Sequence, residues 1–147
     1  MNTMIPAAAL AAEMSTPDAF PVIRTAAEQL LGPVSRGEAI STDMLRTAMT
    51  EAFGGTDAEG LWNWKTAYDV CEAVQVLFLR KFGNAIRARA ASPVAELAMH
   101  TRIASLFPTH TRRSEESQAL QQFSTPLPLA FVAAQTAATC PAHPPSR

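Results

Sequence analysis

The chain has 147 residues, room for one domain of ordinary size, and 48% of them are hydrophobic, which excludes a globally disordered chain. A net charge of −1 and a pI of about 6.3 exclude an overall bias towards nucleic acid or membrane surfaces. Cys71 and Cys140 lie far apart with no other ligand at zinc spacing, which argues against a disulfide scaffold and fits a reducing cytoplasm.

Residues 1–19 read as a flexible leader. The apolar run from Ile5 ends at Glu13 and no basic residue precedes it, so it is not a signal peptide. No run of about 18 apolar residues occurs anywhere, so no membrane span is expected. From Phe20 to Leu31, Val22, Ile23, Ala26, Ala27, Leu30 and Leu31 recur at helical spacing, and Gly32-Pro33 should end that helix. Ser41 or Thr42 can cap a second helix with Leu45, Ala48, Met49, Ala52 and Phe53 on its apolar face, stopped by Gly54-Gly55.

Thr56-Asp57-Ala58-Glu59 has capping-box spacing, and predicts a central helix from about Ala58 towards Phe82. Its apolar stripe is Trp64, Ala67, Cys71, Val74, Phe78 and Phe82, with Cys71 as a small core residue. Trp62 and Trp64 would leave such a helix on different sides, one for the core and one for a contact surface. Gly83 either ends the helix or lets it continue to Ala90. Ser92-Pro93 opens a further helix, with Val94, Leu97, Ala98, Arg102, Ile103 and Leu106 as its stripe. His100, His110 and His143 are isolated and read as surface or half-buried residues. The stretch from Phe107 to Pro126 is polar and reads as a loop with one helical turn at Glu115–Leu120, and Leu127–Ala137 as a last helix. That helix is apolar on nearly all sides, which calls for burial on all sides. No segment alternates as a strand does. The expected fold is all-α, an irregular bundle of about five helices with disordered termini.

The near-neutral total conceals a split. Residues 1–79 carry a balance of −6, and residues 80–113 a balance of +6. Within the basic segment, Arg87, Arg89, Arg112 and Arg113 are candidate nucleic-acid contacts. The alternative is that this basic surface faces the acidic helices of the same chain. No aromatic ladder is interleaved with these bases, as a single-strand binder would require.

Thr125 followed by Pro126 is a good helix cap, and the free amides of such a helix start also suit a carboxylate, with Ser124 or Thr125 adding a hydroxyl. Gln-Gln-Phe-Ser-Thr-Pro followed by an apolar helix resembles the first cofactor motif of adenine-N6 DNA methyltransferases. EAFGGTDAEGLWNWKTAYDVCEAVQVLFLRKFG and LFPTHTRRSEESQALQQFSTPLPLAFVAA resemble the N-terminal region of bacterial strawberry notch-like proteins. Those proteins are often plasmid- or phage-borne and combine a methyltransferase-like region with a helicase. The likeness covers roughly Phe20 to Ala138. It implies that Phe123, Ser124, Thr125 and Pro126 belong to the side of the site that holds S-adenosylmethionine in the intact parent. It also implies a helical domain over 20–113 and the first helix of a methyltransferase-like domain over 114–138.

The family's later motifs do not occur in this chain. There is no glycine after Gly83 for the acidic-and-glycine cofactor turn, no D/N-P-P-F motif, and no lysine after Lys81 for a phosphate loop. Residues 139–147 have a composition unlike the strand expected there. The resemblance therefore implies a truncated fragment without methyl transfer or ATP hydrolysis of its own, binding no cofactor tightly. Its partners would be the parent's methyltransferase and helicase regions, and DNA. A different class of reading is a small all-α module that binds nucleic acid through the basic segment, or a protein through the last helix. A third is a remnant without function.

Overall fold

The protein is described by a computed structural model that covers residues 19–108 and 125–139. The described residues form five helices and no strand: α1 (Ala19–Ser35), α2 (Thr42–Phe53), α3 (Trp64–Arg89), α4 (Pro93–Ala104) and α5 (Leu127–Thr139). Of the expected leader, polar loop and final tail, residues 1–18, 109–124 and 140–147 lie outside the described residues. Helix α1 packs on both α2 and α3, while α4 stands between α3 and α5. Leu45, Met49, Val34, Val70 and Val74 are the largest fully buried side chains, so the core lies where α1, α2 and the first half of α3 meet.

Helix α1 continues past Gly32-Pro33, where the sequence predicts its end. Pro33 removes one helical bond, and the carbonyl it frees belongs to Gln29, which is exposed to water. The last turn is held by buried Val34 and by the Ser35 hydroxyl, which donates to the Leu31 carbonyl at 2.7 Å. Burial of Val34 outweighs the break. The amide of buried Ile40 then donates to the Leu106 carbonyl at 2.7 Å, tying this connection to the end of α4.

Helix α2 begins and ends as its sequence predicts. The Ser41 hydroxyl accepts from the Met44 amide at 3.2 Å, and Gly54 takes the left-handed conformation at φ 74°. The next expectation needs correction. Thr56 and Glu59 do form the reciprocal bonds of a capping box: the Thr56 amide donates to Glu59 Oε2 at 2.7 Å, and the Glu59 amide to the Thr56 hydroxyl at 3.3 Å. They close a turn, however, not a helix. Gly60 at φ 75° reverses the chain, its amide bonded to the Asp57 carbonyl at 3.1 Å. Helix α3 starts at Trp64, where Asn63 Oδ1 accepts from the Thr66 amide at 2.9 Å. The turn lets Trp62 enter the core, with its indole N–H donating to the Gly55 carbonyl at 3.0 Å. Trp64 meets Trp62 edge-on at 5.6 Å. The two tryptophans therefore share one cluster, and neither is left as a free contact surface.

Helix α3 runs through Gly83 to Arg89, a length of about 39 Å at 1.5 Å per residue. Arg87 and Arg89 occupy its last turn, where cations suit the negative end of the helix dipole. Helix α4 is capped by the Ser92 hydroxyl, which accepts from the Ala95 amide at 3.2 Å, with Pro93 at its first turn. Its buried side differs from the predicted stripe. Glu96, His100 and Ile103 are buried, followed by Phe107, whereas Val94 is 75% exposed. The helix is turned so that Ile103 and Phe107 close the core and Glu96 and His100 face α3 and α5. His100 is thus a buried residue. Helix α5 opens where the Pro126 carbonyl accepts from the amides of Leu129 and Ala130, at 2.9 and 3.0 Å. No residue of it is buried.

Candidate functional site

The sequence of α3 places Arg80, Asn84 and Arg87 three and four residues apart, so they form one stripe along the second half of the helix. The i,i+4 spacing of Glu96 and His100 likewise puts both on one side of α4. Helix α5 brings Phe131. These side chains line a cavity of ≈ 350 Å³ between the three helices.

The electrostatics are uneven. Glu96 is 8% exposed and His100 5% exposed. Arg87 Nε and His100 Nε2 each stand 3.7 Å from the same carboxylate oxygen, Glu96 Oε1. Both are too far for a hydrogen bond, and the Arg87 guanidinium is close enough to attract the carboxylate. His100 Nδ1 is buried with no hydrogen-bond partner. Such an atom costs about 1–3 kcal/mol of lost solvation. The imidazole lies against Phe131, with ring centres 4.7 Å apart. Charged, amide and aromatic groups thus converge on one open-sided cleft. The arrangement suits a molecule that offers N–H donors to Glu96 and an anionic group to the guanidinium groups.

The predicted site residues fare differently. Arg87 lines this cavity, and Arg89 is exposed beyond it. Arg112, Arg113, Phe123 and Ser124 lie outside the described residues. Thr125 and Pro126 are exposed at the entry to α5 and do not line this cavity. The ion pairs of the described residues do not join the basic segment to the acidic helices. Arg24–Glu28, Arg36–Glu38, Arg46–Asp43 and Lys65–Asp69 are local pairs, and Arg87–Glu96 lies within the basic segment. Arg80, Lys81, Arg87 and Arg89 all remain exposed. Sequence reasoning missed Arg80, Asn84, Glu96 and His100 as a group. The i,i+4 pair of an acid and a histidine was a usable signal.

Among the described residues no three His, Cys, Asp or Glu side chains are placed to hold a metal ion, and no helix is long and apolar enough to cross a membrane. Cys71 is buried, and that burial, with Glu72 nearby, pushes its thiol up to about 12, so it is no nucleophile at neutral pH. Compared with known proteins, the chain matches no family model, no curated protein and no solved structure.

Proposed function

We propose that this chain is the helical N-terminal part of a strawberry notch-like DNA methyltransferase/helicase, and serves there as a non-catalytic docking module. The observation that carries the reading is α5. It follows the Phe-Ser-Thr-Pro stretch, it is almost wholly apolar, and none of its residues is buried. Leu129 is 61% and Val132 43% exposed. In the parent, this helix would pack into the methyltransferase region, which would bring S-adenosylmethionine and the catalytic motifs. The chain by itself would transfer no methyl group. The test is to resequence the gene through the codon for Thr139 and beyond, and to translate all three frames. An acidic-and-glycine cofactor turn in any frame is the expected result. Its absence from all three overturns the parentage. Methyl transfer to DNA by the purified chain overturns the non-catalytic role.

A second reading is favoured by the exposed bases at the end of α3. In it, the module touches nucleic acid through Arg80, Lys81, Arg87 and Arg89. Binding to duplex DNA should then fall steeply with salt and be lost when Arg87 and Arg89 become alanine. Salt-insensitive or absent binding overturns it.

A further inference from the structure

The cavity between α3, α4 and α5 holds a buried carboxylate that makes no hydrogen bond with any described residue. Its two charged neighbours stop at 3.7 Å. Beside it, His100 Nδ1 is buried and unpartnered. Polar groups this buried are seldom left without a partner, whether protein, water or a ligand, and a cleft where several of them converge on an aromatic ring is a place for a ligand. The flanking side chains limit what that ligand can be. Arg80 takes an anion, and Arg is the side chain best suited to phosphate. Glu96 accepts N–H donors. Asn84 offers an amide, which both donates and accepts. Phe131 offers an aromatic face to a planar group. Arg80 precedes Arg87 by two turns, about 10 Å of helix, so the anion-binding end and the carboxylate end are separated.

We propose that this cavity binds a guanine nucleotide. The two oxygens of Glu96 accept from the ring N–H and the exocyclic amine of the base, the base lies against Phe131, and the phosphate meets Arg80. Asn84 supplies a further polar partner, the His100 ring borders the base, and Arg87 positions Glu96. Guanine is the common base with two adjacent donors on one edge, the arrangement that a carboxylate accepts in parallel. A free nucleotide and the 5′-phosphorylated end of a strand share this chemistry. The inference rests on the cavity alone and does not depend on the parentage proposed above.

The test is titration of the full chain with GMP, read by calorimetry and by the ring signals of His100 in nitrogen-edited NMR spectra. GMP should bind and shift those signals. IMP, which lacks the exocyclic amine, should bind about tenfold more weakly, as expected for one lost hydrogen bond to a charged group. R80A, at an exposed position, should weaken GMP about tenfold and leave guanosine unchanged. E96Q, close in shape to the native side chain, should weaken both GMP and IMP. An oligonucleotide with a 5′-phosphorylated terminal dG should bind at least as tightly as GMP if the natural source is a strand end, and more weakly if it is a free nucleotide. Either result upholds the site. Unmoved His100 signals at millimolar GMP overturn it, as does GMP affinity that survives both R80A and E96Q unchanged.

Discussion

Replacing Trp62 measures how far the turn before α3 belongs to the core. The indole is 5% exposed, donates to the Gly55 carbonyl at 3.0 Å and meets Trp64 edge-on at 5.6 Å. W62A removes all three interactions and leaves a cavity, a change that costs about 3–5 kcal/mol in well-packed cores. W62F keeps most of the apolar surface but forfeits the bond to Gly55, worth about 1 kcal/mol, and part of an edge-on ring contact worth about 0.5–1.5 kcal/mol. A domain of this size has about 5–15 kcal/mol of stability in total, so W62A should consume about a fifth of it at the least. With a urea dependence of about 2 kcal/mol per molar, the midpoint should fall by about 2 M for W62A and by about 1 M or less for W62F. Far-UV circular dichroism is the suitable probe, since Trp64 keeps emitting when Trp62 is gone. A W62A midpoint within about 0.3 M of the parent would refute the reasoning. It would put Trp62 outside the core and favour a helix from about Ala58, as the capping-box spacing alone suggests.

Two other outcomes are expected. Cys71 should resist iodoacetamide at pH 8 and become alkylated only in denaturant, as peptide mapping would reveal. Its thiol is raised from 9.0 to about 12 in the folded chain, so stability is fully present below pH 9 and declines as pH rises towards 12, where the unfolded chain gives up the proton first. Rapid native labelling at pH 8 would contradict the burial. Glu59 is held below the usual carboxylate range, first by the Thr56 amide and then by the Thr56 hydroxyl. That contribution is present above pH 4.5 and is lost as pH falls through the folded value. E59Q should therefore lower the thermal midpoint at pH 6 more than at pH 3, and an equal loss at both would contradict the bonding.

The parts of the fold that were legible in the sequence are those decided locally. Ser41, Gly54 and Ser92 act on amides or dihedrals within three residues of themselves, and each cap stands where its residue type predicts. What was not legible depended on distant partners. Thr56 and Glu59 satisfy each other equally well over a single turn or at a helix start. Gly60 at φ 75° and the burial of Trp62 together select the turn. Gly32-Pro33 is a sound stop signal for an isolated helix, and it yields here because Val34 gains a core position. The side of α4 that faces inward was misjudged for the same reason. Val94, Leu97 and Leu106 form an apolar pattern, but α3 and α5 offer charged and aromatic partners to Glu96 and His100. Hydrophobic periodicity does not register a helix that buries a carboxylate and an imidazole. The candidate cavity was hidden with it, because its residues come from three helices and meet only in the fold.

Helix α5 links the two proposed roles physically. Its Phe131 lies against His100 and forms one wall of the cavity, while Leu129 and Val132 face outward. An occupant of the cavity would gain its aromatic contact only while α5 sits on α4. A partner that covers Leu129 and Val132 in that same position would make the same contact more available. A partner that pulls α5 away would dismantle the wall. By linkage, the ligand must then strengthen or weaken the partner's binding by the factor that the partner imposes on the ligand. The sign of that coupling separates a module that docks as it stands from one that opens in order to dock. Since α5 buries none of its residues completely, its docking on α4 leaves apolar surface for a partner to compete for.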